Sequence, residues 1–185
     1  MNYIHPTAEI HEGVKLGKNI KVWSNTDIRE NVIIGDNCII GKGVYLDEGV
    51  VIGNNVKIQN YASIYAEAVI EDGVFIGPYV CFTNDMYPRA INLDRKLKKK
   101  SDWSRGKIVV KVGASLGAGC ILLPNIEIGR FSLVGAGSVV TENVKDNALV
   151  VGVPAKFFGE ICFCGLKIPK KQKIYQCPRC QYIKK

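Results

Sequence analysis

The chain has 185 residues, with 25 Lys or Arg and 17 Asp or Glu, and a formal net charge of +8. This length fits one domain with at most a small appendage. No stretch of the sequence approaches the roughly 18 to 20 apolar residues of a membrane span. The N-terminal residues lack the pattern of a signal peptide. We therefore expect a cytoplasmic protein without a membrane partner. The basic excess favours phosphorylated ligands or simple solvation. No nucleic-acid-binding motif accompanies it, so no nucleic acid partner is expected.

A six-residue repeat dominates the chain. A period of six is neither helical nor alternating, and it is typical of a parallel β-helix built from hexapeptides, with three faces and about 18 residues per coil. We predict an all-β domain over residues 1–156, whose lead aliphatic side chains point into the core. The lead positions are Ile4, Ile10, Leu16, Val22, Ile28, Ile34, Ile40, Leu46, Ile52, Ile58, Ile64, Ile70, Ile76 and Phe82, then Val110, Leu116, Leu122, Ile128, Val134 and Val140.

Small or β-branched residues stand four places after the lead residues, and we expect them to point inward as well. Cys38 and Cys120 hold such positions and are interpreted as core packing. Glycine often follows the lead residue, as at Gly35 and Gly53, and together with asparagine it is expected to supply the turn conformations of the corners.

The repeat is interrupted at residues 83–109, which include the segments "FTNDMYPRA" and "RKLKKK". Insertions of this length in compact domains are usually functional or disordered. We predict an arm that projects from the β-helix, reaches a neighbouring subunit and roofs a cleft. A solvated surface loop is the alternative, because so much of the segment is basic.

The C-terminal residues 157–185 have a different composition and contain two close cysteine pairs, Cys162 with Cys164 and Cys177 with Cys180. Four thiolates in two pairs suit tetrahedral coordination of Zn²⁺, and metal binding would supply folding free energy to so short a segment. We predict a small zinc-ribbon-like tail with a structural site of four cysteine thiolates. The single residue inside the first pair is shorter than usual, so free thiols or disulfides remain the alternative.

The repeat resembles the left-handed β-helix acyltransferases over residues 4–156. The segments "GVFIGPYVCFTNDMYPRA", "VKVGASLGAGCILLPNIEIG", "VGAGSVVTENV" and "VVGVPAK" are similar to a narrower group, the N-acetyltransferases of nucleotide-linked amino sugars. That resemblance implies a homotrimer with active sites between neighbouring β-helices. It also implies transfer of an acetyl group from acetyl-CoA to an amino group, most often a 3-amino group, of a UDP- or dTDP-linked sugar used in surface polysaccharide synthesis.

The resemblance assigns substrate-contacting roles to several residues. Asn84 and Asp85 are expected to orient the acceptor amine, although an Asx turn at the start of the loop would use the same residue types. Asn60 and Tyr65 match positions that line the sugar-nucleotide cleft, or they are plain surface. Relatives carry a glutamate after this tyrosine, whereas here Ala66 follows and Glu67 comes one place later. Arg89 is expected to bind a carboxylate or diphosphate, or to form a structural ion pair.

The acyl donor is expected to lie along small residues of the C-terminal coils. Backbone groups of Gly117, Ala118, Gly135 and Ala136 are candidates for binding its amides, although such residues are also ordinary corners. The resemblance places Lys156 near the phosphates of the coenzyme, and a solvated lysine is the alternative. Relatives have a lysine where this chain has Glu142.

The number and position of the histidines indicate whether the acceptor group is a hydroxyl or an amine. The chain has two histidines, His5 and His11, both in the first two hexapeptides. A hydroxyl acceptor needs a general base, whereas an amine with a pKa near 7.7–8.0 is partly neutral at pH 7. The sequence therefore favours N-acetylation. An O-acetyltransferase of the same fold and a non-enzymatic β-helix scaffold subunit are the alternatives.

Overall fold

The computed structural model describes residues 1–169 and 175–184, which contain short β-strands and one 3₁₀ helix, Lys100–Asp102. Among these residues, no helix has the length and apolar content needed to cross a bilayer. The strands are β1 Tyr3–Ile4, β2 Glu9–Ile10, β3 Lys15–Leu16, β4 Lys21–Val22, β5 Asp27–Ile28, β6 Ile33–Ile34, β7 Ile39–Ile40, β8 Tyr45–Leu46, β9 Val51–Ile52, β10 Lys57–Ile58, β11 Ser63–Ile64, β12 Ala68–Ile70, β13 Phe75–Ile76, β14 Cys81–Phe82, β15 Ile108–Val110, β16 Ser115–Leu116, β17 Ile121–Leu122, β18 Ile126–Ile128, β19 Leu133–Val134, β20 Val139–Val140, β21 Ala148–Val151, β22 Lys156–Ile161, β23 Lys167–Ile168, β24 Tyr175–Gln176 and β25 Ile183–Lys184.

Up to β20, every third strand along the chain lies in the same parallel sheet, and β21 then joins the sheet that begins with β1, so the chain winds into a three-sided prism. Face A has the order β1-β4-β7-β10-β13-β16-β19-β21, face B has β2-β5-β8-β11-β14-β17-β20, and face C has β3-β6-β9-β12-β15-β18. The faces meet at three edges, which we name A/B, B/C and C/A. The prediction of a parallel β-helix built from hexapeptides is confirmed.

The core is a set of aliphatic ladders inside the prism. In β6 the outward Ile33 is 40% exposed while the inward Ile34 is 2% exposed, and burial of a side chain of this size contributes about 1.5–3 kcal/mol. The predicted inward cysteines, Cys38 and Cys120, are fully buried. The first lead residues differ, since Ile4 and Ile10, in the first coil of the prism, are 41% and 36% exposed.

The corners place asparagine and some glycines at positive φ, and they place other glycines where the backbone of the next coil packs closely. Asn19, Asn37 and Asn55 have φ near +57°, in the left-handed region that asparagine tolerates. The glycines after the lead residues are needed for close packing instead. A Cβ on Gly35 would lie 2.7 Å from the backbone of Gly53 in the next coil, and its φ is ordinary. The turn conformations predicted for glycine occur instead at other corner glycines, such as Gly13 and Gly49, with φ of +74° and +72°.

The interruption of the repeat leaves the prism at the B/C edge and forms a hairpin. Asp85 pairs with Arg105 near its base and Ile91 pairs with Leu97 near its tip. The first coil strand after it, β15, begins at Ile108 and pairs in parallel with β12, so the last two residues of the predicted arm belong to the prism.

The C-terminal segment is joined to the prism by a continuous sheet. The strand β22 pairs antiparallel with β21 and extends face A, and β23 pairs antiparallel with β22. The strand β22 therefore crosses the domain boundary expected after residue 156. Phe163 contacts Phe131 of the prism with ring centroids 4.7 Å apart, and it contacts Tyr182 at 4.5 Å.

Candidate functional site

The base of the arm carries Asn84 and Asp85 directly after β14 and Thr83. Backbone hydrogen bonds hold this base closed, since Gly106 N–H donates to Asn84 O at 2.8 Å and Met86 N–H donates to Ser104 O at 3.0 Å. Asp85 Oδ1 accepts a hydrogen bond from Tyr87 N–H at 2.9 Å, which is the Asx turn considered from sequence. The Asn84 side-chain amide has no hydrogen-bond partner among the described residues and is half-buried.

The arm returns along the B/C edge and is fastened to a lower coil. Lys100 Nζ lies 2.8 Å from Glu48 Oε2, at the corner that follows β8. Lys98 Nζ donates to Tyr87 O at 3.0 Å and Asn92 Nδ2 donates to Asp102 Oδ2 at 2.8 Å, so the arm also has internal contacts. Most side chains of the arm are nevertheless exposed, including all of residues 99–104.

Tyr65 and Glu67 lie one coil below the base of the arm, because β11 pairs in register with β14. Tyr65 is 39% exposed and contacts Tyr45 edge-on, with centroids 5.7 Å apart. Glu67 is exposed at a corner with φ of +69°. Arg89 is exposed further along the arm, where its Nη1 donates to Pro88 O at 2.9 Å and no carboxylate among the described residues pairs with it.

Asn60 lies at a different edge from these residues. It follows Gln59 at the A/B edge, and its Oδ1 accepts a hydrogen bond from Lys42 N–H at 3.0 Å. The equivalent contact recurs at other corners, where Asp36 Oδ1 accepts from Lys18 N–H and Asn54 Oδ1 accepts from Asp36 N–H. The Asn60 side-chain oxygen therefore has a structural partner.

The predicted acyl-donor residues also lie at the A/B edge, in the last coils. Several of their backbone groups are already used, since Gly117 N–H donates to Val134 O and Gly135 N–H donates to Val150 O. Ala118 O accepts from Gly137 N–H at 2.8 Å. Ala118 and Ala136 are exposed residues one coil apart, and their N–H groups have no hydrogen-bond partner among the described residues.

Lys156 is exposed at the start of β22, and its Nζ lies 3.4 Å from Glu142 Oε1. Glu142 is the residue that stands where relatives carry lysine, so this pair partly neutralises the site predicted to bind phosphates. Both side chains are largely solvated, at 64% and 76% exposure, and such pairs contribute little binding energy of their own.

The two groups of predicted site residues do not meet within one chain. Asn84, Asp85, Tyr65 and Glu67 lie along the B/C edge, whereas the acyl-donor residues lie along the A/B edge, on the opposite side of face B. The geometry brings the first group together and separates it from the second.

Histidine is absent from the surroundings of Asn84. His11 follows β2, which is four strand positions from β14 in face B, or about 19 Å at the usual strand spacing. It pairs with acidic residues instead, since its Nε2 lies 3.1 Å from Asp27 Oδ1 and its Nδ1 lies 3.6 Å from Glu30 Oε1.

A polar network on face B was missed from sequence. Tyr45 Oη donates to Asp47 Oδ1 at 3.0 Å, and Ala66 N–H donates to Asp47 Oδ2 at 3.2 Å, directly beneath Tyr65. Burial and the neighbouring Asp47 carboxylate raise the pKa of Tyr45. A sequence signal for this network was present, because polar residues stand on both sides of the lead residue in this face, as in "YLD" and "SIY".

The four C-terminal thiols form one cluster. Cys162 Sγ lies 3.3 Å from Cys180 Sγ, Cys164 Sγ lies 3.5 Å from Cys177 Sγ, and all four sulfurs lie within 4.8 Å of one another. A tetrahedron with Zn–S bonds of about 2.3 Å has sulfur separations of about 3.8 Å, so the cluster has the dimensions of a zinc site. Burial opposes ionisation of Cys177, but hydrogen bonds from the amides of Cys180 and Arg179 lower the pKa of its thiol to about 6.

Two curated relatives illustrate the similarity in sequence. The chain is 43% identical over 76 residues to dTDP-3-amino-3,6-dideoxy-α-D-galactopyranose 3-N-acetyltransferase of Aneurinibacillus thermoaerophilus, a match that covers 40% of each chain. It is 34% identical over 98 residues to galactoside O-acetyltransferase of Lactococcus lactis, covering 51% of this chain and 46% of the relative. The chain thus matches less than half the length of these relatives.

Solved structures share the fold. PerB from Caulobacter crescentus, in complex with CoA and GDP-perosamine, is 26% identical with a TM-score of 0.55, covering 85% of this chain and 57% of that chain. The acetyltransferase domain of PglB from Neisseria gonorrhoeae, in complex with acetyl coenzyme A, is 18% identical with a TM-score of 0.56 and the same coverage, so it supports the fold alone.

Two family models describe the repeat itself. The bacterial transferase hexapeptide model (six repeats) matches residues 13–48 and 49–84. The model of the hexapeptide repeat of succinyl-transferase matches residues 31–66 and 113–142. Both models describe the hexapeptide repeat that builds the prism, so the chain is similar to the bacterial transferases of this repeat over the matched residues.

Proposed function

We propose that the protein is an acetyl-CoA-dependent N-acetyltransferase that acetylates the amino group of a UDP- or dTDP-linked amino sugar for surface polysaccharide or glycan synthesis, and we assign that group to the 3-amino position. The observation that carries the proposal is the base of the arm, where Asn84 has an unpartnered side-chain amide beside Asp85 and no histidine of the described residues lies nearby. The relative that is 43% identical over 76 residues is a sugar 3-N-acetyltransferase, which supports the same reaction.

The proposed chemistry needs no imidazole. A neutral amine attacks the thioester carbonyl carbon, a C–N bond forms, and the nitrogen loses a proton as the C–S bond breaks to release CoA as its thiol. A sugar amine with a pKa near 7.7–8.0 is partly neutral at pH 7. Asn84 and Asp85 orient the amine, and such positioning supplies much of the rate increase. The proton goes to Asp85, to water or to the departing thiolate.

The proposal includes a homotrimer. Its support is the separation of the two groups of site residues, which lie on the B/C and A/B edges of one chain. Packing prisms side by side around a threefold axis brings the B/C edge of one subunit to the A/B edge of the next. The arm then covers the cleft between subunits, and Tyr65, Glu67 and Arg89 face the acceptor.

The acyl donor is proposed to lie along the A/B edge of the last coils. The free N–H groups of Ala118 and Ala136 are donors for the amide oxygens of its pantetheine arm, and Gly117 and Gly135 let it approach the backbone closely. Lys156 is proposed to meet the coenzyme phosphates after leaving Glu142, an exchange of one weak solvated pair for a stronger charge-assisted contact.

Zn²⁺ is proposed as a structural ion of the tail, bound by Cys162, Cys164, Cys177 and Cys180. The support is the sulfur cluster, in which all four ligand atoms lie within 4.8 Å of one another. Four thiolates close the coordination sphere, so the ion has a structural role. Reduced cysteines at this site fit the cytoplasmic location that the proposal includes.

The test combines a substrate screen with variants of the arm base. Purified protein with acetyl-CoA is offered UDP- and dTDP-linked 3-amino and 4-amino sugars, and release of free CoA thiol is measured. We expect Asn84→Ala and Asp85→Ala each to lower kcat/KM about 100-fold, because orientation of the amine is lost. Wild-type rates in both variants would remove the site.

A matched control separates catalysis from loop structure. Asp94 also caps an Asx turn in the arm, where Lys96 N–H donates to its Oδ1 at 3.1 Å. Asp94→Ala should keep wild-type turnover, and all variants should keep the oligomeric state of the wild type. Acetylation of a sugar hydroxyl in preference to every amine would favour the O-acetyltransferase alternative, which the Lactococcus relative represents.

A further inference from the structure

A groove crosses face A next to the A/B edge, three coils below the acyl-donor residues. It has a volume of ≈ 460 Å³, in the size range of sites for small ligands. Its lining is formed by Lys21, Trp23, Ser24, Ile39, Gly41, Lys42, Lys57, Ile58, Gln59 and Asn60.

The groove exists because one coil has no side chain at the position where its neighbours have large ones. Trp23, Gly41 and Gln59 form a column, since Trp23 N–H donates to Ile40 O and Gly41 N–H donates to Ile58 O in successive coils. Trp23 and Gln59 are thus two coil spacings apart, about 10 Å, with Gly41 between them. A Cβ on Gly41 would lie 2.7 Å from Asn60 N, so a larger residue cannot fill this space without displacing the backbone.

The groove has cationic walls and no acidic residue in its lining. Lys21 and Lys57 flank Ile39 in register, and Lys42 lies at the edge with its Nζ 6.0 Å from the Tyr61 ring centroid. All three lysines are exposed, and none has a carboxylate partner in the part of the chain that the structure describes. Three ammonium groups around one groove without a counter-charge form a site for an anion.

An aromatic surface lies at the lower end of the groove. The Trp23 side chain is 45% exposed and contacts Tyr3 with ring centroids 5.7 Å apart. An exposed indole offers a flat face on which a nucleobase can stack, an interaction worth about 1–3 kcal/mol per base in nucleic-acid-binding proteins. The combination of lysines and indole fits a ligand that has both phosphates and a base.

We propose that this groove binds the nucleoside diphosphate of the acceptor sugar, with the phosphates between Lys21, Lys42 and Lys57 and the base on Trp23. Identification of the occupant rests on the proposed function. The donor coenzyme carries a nucleotide too, but its proposed phosphate contact, Lys156, belongs to β22 at the far end of the prism. The base of the arm follows β14, one coil above the level of Lys57, and a parallel threefold arrangement keeps equivalent coils level.

The test measures binding without turnover, so it does not depend on the acetyl transfer. UDP, dTDP, 3′,5′-ADP and inorganic pyrophosphate are titrated into the full chain by calorimetry. We expect Lys42→Ala and Lys57→Ala each to raise the Kd for UDP or dTDP at least about 10-fold, the equivalent of about 1.4 kcal/mol. Lys15→Ala, which removes an exposed lysine from face C, should change the Kd less than about 2-fold.

Variants of Trp23 provide the second part of the test. Trp23→Ala should weaken UDP or dTDP binding about 10-fold and leave pyrophosphate binding unchanged, while Trp23→Phe should restore most of the loss. An unchanged Kd for UDP and dTDP in all groove variants overturns the inference. It is also overturned if 3′,5′-ADP binding is lost and UDP and dTDP binding is kept, since the groove then belongs to the donor.

The outcome separates this inference from the proposed function. If an amino sugar is acetylated and its KM is unchanged in Lys42→Ala and Lys57→Ala, the groove assignment is wrong and the acetyltransferase assignment stands. If groove variants lose UDP or dTDP binding but the wild type acetylates no amine, the groove assignment stands and the acetyltransferase assignment is wrong.

Discussion

The prism and the C-terminal tail reach a folded state by different means. The prism buries a continuous ladder of aliphatic side chains, in which residues such as Ile58 and Ile64 are at most 1% exposed and each coil packs on its neighbours. The tail has a described core of only Cys162, Ile168, Tyr175 and Cys177. A core of that size cannot offset the entropy of ordering the segment, so the tail depends on its thiol cluster and on contacts with the prism.

The comparison shows how the repeat of the prism accommodates an insertion as long as the arm. The arm leaves after β14 and the chain re-enters in register at β15, with Ile70 opposite Val110, as though no residues intervened. Each coil needs only its neighbours, so an insertion at a corner leaves the ladder intact. The small core of the tail has no such repeating neighbours.

Removal of the proposed metal should give the largest effect and should affect only the tail. Structural zinc supplies about 10–16 kcal/mol of apparent free energy in small zinc peptides. We therefore expect a strong chelator, or Cys177→Ser, to abolish amide-exchange protection in β23–β25 while the prism stays protected.

Metal analysis should find about one Zn²⁺ per chain before chelation, and Cys81→Ser, at a half-buried cysteine of β14, should not change that ratio. Equal protection of the tail with and without metal would show that the thiol cluster is not its support.

Truncation of a core residue should destabilise the prism by the next largest amount. Ile34→Ala should lower the free energy of unfolding by about 2–5 kcal/mol because it leaves a cavity in the ladder. Ile33→Ala is the matched control in the same strand, where the side chain is 40% exposed and the expected change is below about 0.5 kcal/mol. Denaturant unfolding measures both, and similar losses would contradict the assigned inward and outward positions.

Loss of the aromatic contact between the two regions should have a smaller effect. Phe163→Ala removes the ring contacts with Phe131 and Tyr182, and we expect a loss of about 1–2 kcal/mol in the stability of the tail. Limited proteolysis should then cleave the tail faster and leave the prism resistant. Phe157→Ala, at a ring that is 64% exposed, serves as the control and should leave the cleavage rate as it is in the wild type.

A corner substitution should have the smallest effect. Asn55→Ala places an alanine at φ of +57°, and we expect a cost of about 1 kcal/mol, whereas Asn55→Gly should be nearly neutral. Thermal unfolding would separate the two variants. A tolerated alanine would mean that the corner relaxes without affecting its coil.

The repeat made most of the fold predictable, and a few residues show where prediction stopped. The inward position of Cys38 followed from counting in sixes, because a residue four places after a lead must face the core. The structural role of Asn60 was not predicted, because an 18-residue coil places Asn60 above Lys42 but does not show that its side chain turns back to the Lys42 N–H. The Asp47 network beneath Tyr65 depends on the same adjacency.

The site was predictable in composition and less so in arrangement. Asn84 and Asp85 stood out because they open the only long break in the period. That they lie on a different edge from Ala118 and Ala136 could not be read from spacing alone, nor could the groove opened by Gly41. In sequence, Gly41 is one of several glycines after a lead residue.

By itself, the sequence determined the six-residue period, the inward ladder, the place of the arm and the two close cysteine pairs, because each depends on local spacing along the chain. The tertiary structure decided which edge each site residue occupies, which backbone donors stay free, and how the tail rests on the prism. Those features depend on contacts between successive coils, and between the tail and a coil, which arise only when the chain has wound around its axis.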